Sequence, residues 1–140
     1  MLTYIGRVVG KWQAVAHAGK SDFRCEFNFV WNESHRGLRG DAVIALDSPK
    51  PMHSYSLIGW DANAKAAYYV DAHDPDTLYT GHVYLEDNKL QFRFGNYGKG
   101  ENEFVATEWF VDNDHYRSEI RQAAHADGPP MISIELTREK

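Results

Sequence analysis

Residues 71–76 read DAHDPD, three aspartates and a histidine within six positions. Oxygen and nitrogen donors at this density can hold a cation. Pro75 and the run of turn formers describe an exposed loop, and a loop is the reading adopted. The segment DNDH at 112–115 begins like a calcium loop. It then lacks the glycine at the sixth position and the closing glutamate, so it reads as a turn. The histidines, His17, His35, His53, His73, His82, His115 and His125, are scattered and form no H-E-x-x-H pair. No metal site and no cofactor are expected. Cys25 falls on the apolar side of its segment with no basic neighbour to lower its pKa, which makes it a buried structural thiol. Neither a G-x-S-x-G elbow, a phosphate-cradling glycine loop nor a dinucleotide fingerprint is present.

The remaining polar candidates lie in two alternating segments. Thr80, His82 and Tyr84 share one face of the first. In the second, Glu108 shares a face with Phe104, Ala106 and Phe110. A carboxylate among apolar neighbours needs a partner, and Arg117 or Arg121 is the expected one. Such a carboxylate is also a candidate general acid or base. Alternation alone leaves open which face of residues 78–85 and 103–111 points inward.

The elements that position these groups read as strands. Phe23, Cys25, Phe27, Phe29 and Trp31 occupy every second position, with Arg24, Glu26 and Asn28 between them. That is the period of a strand with one apolar and one wet face. Leu38, Gly40, Ala42, Ile44 and Leu46 repeat the pattern, as do His53, Tyr55, Leu57 and Gly59 less cleanly. Leu90, Phe92 and Phe94, then Ile132, Ile134 and Leu136, complete it. The segments WDANAK, LEDNKL and VDNDHY put Asp and Asn between these runs, where such residues favour hairpin turns. Helix is confined to one turn within residues 2–10. Residues 117–126 have helix-forming composition but only Ile120 as a large apolar anchor, so a strand through Arg121 is preferred. The expected fold is all-β, an antiparallel up-and-down barrel of about eight to ten strands over residues 1–140, whose closure removes exposed edges.

Composition bounds the partners. The chain has 140 residues, a net charge of −5 and interspersed charges, which disfavours nucleic acid. Its apolar runs are too short to span a membrane. With one cysteine and no leader pattern, a reducing cytoplasm is the expected compartment. Homodimerisation stays open. The aromatic share, 14%, suits β-structure and a cavity lined with rings.

Gly10-Lys11-Trp12 opens the first strand, and SIELTREK ends the chain with Arg138. Together these resemble the G-x-W signature and terminal arginine of the calycin superfamily, the lipocalin-like barrels. The central stretch from SYSLIGWDANAK to KLQFRF is similar to a group of uncharacterised bacterial lipocalin-like proteins. The resemblance implies a barrel with an internal cavity, Trp12 closing its base and Arg138 lying across the ring. It implies no particular activity.

The function expected first is binding of a small apolar or aromatic molecule. Phe27, Phe29, Trp31, Leu90, Phe92 and Phe94 would line the cavity, with His82, Tyr84 and Glu108 orienting the ligand. A haem-binding barrel of the nitrobindin kind is the alternative, with His82, His115 or His125 as axial ligand. That family's glycines after the tryptophan are replaced here by Gln13 and Ala14. A small barrel enzyme acting on a cyclic substrate through Glu108, His82 and Tyr84 is the third.

Overall fold

In the computed structural model, which describes residues 1–140, the alternating segments become ten strands. A short helix, α1 (Leu2–Gly6), precedes β1 (Gly10–Ala18), β2 (Ser21–Trp31) and β3 (Gly37–Ile44). Then follow β4 (Met52–Asp61), β5 (Ala66–His73), β6 (Thr77–Glu86) and β7 (Lys89–Asn96). The chain ends with β8 (Phe104–Asp112), β9 (His115–Gln122), a 3₁₀ turn at Ala123–His125 and β10 (Ile132–Arg138). Every strand pairs antiparallel with its sequence neighbour, and β10 returns to β1, so the barrel is closed.

Local chemistry sets the hairpins. Between β6 and β7 only Asp87 and Asn88 intervene, at φ 51° and 61°. Two successive positive φ values define the type I′ turn whose twist matches a hairpin, and Asp and Asn tolerate that conformation. Between β4 and β5, Asp61 accepts hydrogen bonds from the backbone N–H of Asn63 and Ala64, bending the chain back. Between β8 and β9, Asp112 accepts from the N–H of Asp114 in the same way.

Closure also fixes which face of each strand is inside, because paired residues share a face. This overturns the expectation for β4. Tyr55 and Leu57, read as the apolar inner face with His53 and Gly59, point outward and are each 57% exposed. Ser54, Ser56 and Ile58 face the interior instead. Ser54 pairs with Ala42 on β3 and Ser56 pairs with Gly40, so the inward parity of β3 dictates that of β4. Gly40 has a steric role here. A Cβ on it would stand 2.5 Å from the Ser56 hydroxyl and 2.8 Å from the Phe29 ring.

Candidate functional site

One end of the barrel is plugged. Tyr4, Ile5 and Val8 from α1 and the turn after it are buried against the core. The Tyr4 hydroxyl donates to the Asn88 carbonyl in the β6–β7 hairpin, 2.9 Å. Trp12 has no accessible surface, and its indole N–H donates to the Val8 carbonyl at 2.7 Å. The Arg138 guanidinium lies 4.2 Å from the Trp12 ring centroid and donates to the carbonyls of Val9, Arg7 and Asn113. This geometry combines cation–π attraction with ties among three separate backbone segments.

Beyond the plug the barrel holds a cavity of about 360 Å³. Phe27, Phe29, Leu90, Phe92, Phe94 and Glu108 are all on its wall. Met52 and Met131 also line it while remaining 41% and 40% exposed, so its mouth is at the end opposite α1. Tyr69 packs edge-on against both Phe92 and Phe94, with ring centroids at 5.2 and 5.7 Å. Such fixed rings hold the wall open where flexible chains would collapse.

Two carboxyl groups face this space. Asp71, on β5, accepts a hydrogen bond from the Ser54 hydroxyl at 2.5 Å and meets His73 Nε2 at 3.0 Å. The bond to Asp71 raises the His73 pKa against the opposing effect of burial. Glu108, on β8, accepts from the Tyr116 hydroxyl at 2.7 Å and from Ser118 at 3.2 Å. It is partly buried on the cavity wall, and burial pushes its pKa up despite the two hydroxyl donors. Burial, then the nearby Asp71 charge, pushes the Tyr69 hydroxyl well up; burial, then Glu108, does the same to Tyr116. Both tyrosines therefore stay neutral donors.

Three residues expected on the wall are elsewhere. His82 and Tyr84 stand on the outer face of β6, where Gly81 and Val83 are the buried positions. There His82 bonds Glu101 and lies 4.2 Å from the Tyr68 ring. Gly81 explains the parity: a Cβ there would come within 2.0 Å of the Arg93 carbonyl, so β6 and β7 touch too closely inside for larger groups. Trp31 shares the inner parity of Phe27 and Phe29 but sits beyond the cavity, against Gly6 of α1 and stacked on His35 at 5.4 Å. The grouping of Glu108 with His82 and Tyr84 into one catalytic set is thereby lost, since the barrel wall separates them. Of the histidines considered as haem ligands, none lines the cavity: His115 bonds Asp112 in a hairpin and His125 is in the exposed 3₁₀ turn. Arg117 and Arg121 do not reach Glu108 either. They face outward to Glu135 and Glu119.

The groups that sequence reasoning missed are Asp71, His73, Ser54 and Ser56. The segment DAHDPD is a loop only in its second half, because β5 runs through His73. The signal was present as period two: Ala67, Tyr69, Asp71 and His73 alternate, and all lie on the inner face.

A closed antiparallel barrel with a capped base and a ring-lined cavity defines the lipocalin-like class of fold. Among solved structures, the chain is similar to an S-type phycobiliprotein lyase from Guillardia theta, with a TM-score of 0.59 and 13% identity over 99% of this chain and 92% of that one. No family model matches the sequence, and no curated protein matches it. No helix is long and apolar enough to cross a membrane.

Proposed function

We propose that the barrel binds one small apolar or aromatic molecule in its cavity. The observation that carries this is the cavity itself: about 360 Å³, predominantly apolar in lining, and open at one end. Ligand pockets begin at roughly 300 Å³ and combine apolar walls with a few placed polar groups. Phe27, Phe29, Leu90, Phe92 and Phe94 supply the apolar contacts, and Glu108 orients the ligand. The similar structure, a phycobiliprotein lyase, is a functional protein on the same barrel, which supports reading the cavity as a working site. A place among the bacterial lipocalin-like proteins and in a reducing cytoplasm, where the buried Cys25 stays a thiol, belongs to the same proposal.

Native mass spectrometry of the purified chain tests it, together with titration of the neutral fluorophore N-phenyl-1-naphthylamine. The expected result is a retained small molecule, or saturable one-to-one binding of the probe. A chain that carries nothing and leaves the probe dark contradicts the proposal.

A further inference from the structure

Among the few polar groups on the predominantly apolar cavity wall, acceptors outnumber cations. No lysine or arginine lines it. Its one histidine, His73, is engaged with Asp71. Glu108 has no such partner, because Tyr116 and Ser118 are neutral hydroxyls. Each hydroxyl gives its single hydrogen to the carboxyl group and leaves only lone pairs to the cavity. Each Glu108 oxygen has one of its two acceptor positions filled by these bonds, and the other remains for an occupant. Arg7 is exposed above the Phe110 ring, and it does not line the cavity.

Glu108 also lies on the plugged side. Its partner Tyr116 is fully enclosed, with its ring 6.2 Å from that of Trp12. A carboxylate buried there without a cation costs free energy, and an anionic ligand would add a second like charge. A ligand with a protonated nitrogen has the opposite effect. It supplies the missing cation and the missing donors together.

We propose that the occupant is a small apolar or aromatic molecule bearing a protonated amine, and that Glu108 receives the amine at the closed half of the cavity. This rests on the reading of the cavity as a ligand site and adds the ligand's charge class. Asp71 plays a lesser part, since His73 and Ser54 already occupy it. Burial raises the Glu108 pKa above its ordinary value, and an ammonium group bound there favours the ionised carboxylate. Affinity for an amine then rises with pH as Glu108 ionises. The other titratable groups on the cavity wall are Cys25 on β2, Tyr69, Asp71 and His73 on β5, Tyr79 on β6 and Tyr116 on β9. Loss of the His73 proton makes the cavity more negative and acts in the same direction, so His73→Gln separates the two contributions.

The test uses three probes with one tail: phenylbutylamine, phenylbutanol and phenylbutyrate, titrated calorimetrically into the full chain near neutral pH. The amine is expected to bind at least about tenfold more tightly than the alcohol, with the carboxylate weakest. Glu108→Gln should bring the amine to within about threefold of the alcohol. A far-UV spectrum and an unfolding midpoint close to those of wild type report an intact barrel in that variant. A carboxylate that binds as well as the amine, or an amine preference that survives Glu108→Gln, overturns the charge class and leaves the cavity proposal standing. If none of the three binds, this inference fails, and the N-phenyl-1-naphthylamine titration decides whether the cavity proposal fails with it. If Glu108→Gln does not fold, the pH profile of His73→Gln decides: amine affinity that still rises with pH against a flat alcohol profile supports the role of Glu108, and an amine profile as flat as the alcohol's overturns it.

Discussion

The two ends of the barrel use their polar groups differently. At the plugged end, the donors of Trp12, Tyr4 and Arg138 are committed to backbone carbonyls, and the apolar surface is packed shut. Along the cavity, Asp71 bonds Ser54 and His73, Glu108 separately bonds Tyr116 and Ser118, and both sets still face open space. The first region keeps the barrel closed at its base. The second gives up packing density, which elsewhere in protein interiors approaches that of crystals, to keep room for an occupant. Substitutions at the plug should therefore act on stability, and substitutions at the cavity should act on binding and on its pH dependence.

The largest effect is expected from Trp12→Ala. Removing a fully buried aromatic side chain costs roughly 3–5 kcal/mol, which denaturant unfolding would register as a large loss of midpoint. A Trp12→Ala chain as stable as wild type would place the stabilising weight elsewhere. Arg138→Ala should cost less, about 1–2 kcal/mol, through the lost cation–π contact and the carbonyl bonds to Val9, Arg7 and Asn113. Apolar probe binding per folded molecule should be unchanged in Arg138→Ala, which sharpens the division between the two ends.

A smaller effect should appear in the pH dependence of stability. Glu108 has a folded-state pKa above its ordinary value of 4.5. Between those two values the folded chain keeps a proton that the unfolded chain has released, so stability falls as pH rises. His73, raised above 6.5 in the fold, adds a contribution that is fully present below 6.5 and is lost as pH rises through the folded value. Melting temperatures across this range should decline less steeply in Glu108→Gln than in wild type. Equal slopes would mean that Glu108 is not held in the low-polarity setting described.

Much of the fold was legible because barrel strands alternate and hairpin turns use distinctive residues. The Phe23–Trp31 run and the Asp87-Asn88 turn each carry enough local information to define their element. The site was less legible, for a physical reason. Sequence alternation separates apolar from polar positions, whereas a barrel around a cavity separates inside from outside. On β4 and β5 the two divisions run opposite: Ser54, Ser56, Asp71 and His73 are inside, while Tyr55, Leu57, Tyr68 and Val70 are outside. Only pairing with Gly40 and Ala42 on β3 and with Gly81 on β6 fixes the parity, and those contacts are between strands. Alternation leaves the inward face of residues 78–85 open, and His82 and Tyr84 are ligand-orienting candidates only if their face is the inner one. Gly81, the small residue just before His82, and Val83, the buried residue between His82 and Tyr84, hold the contrary signal.

The central claim is that the binding site is the inside of the barrel and not its aromatic outer face. Titration of N-phenyl-1-naphthylamine into wild type, Phe92→Trp and the outer-face variants His82→Ala and Tyr84→Ala tests it directly. Phe92→Trp narrows the cavity and should weaken the probe by about tenfold or more, while each outer-face variant stays within about twofold of wild type. Full affinity in Phe92→Trp combined with a loss in His82→Ala or Tyr84→Ala would contradict the claim and move the site to the outer surface of β4–β6.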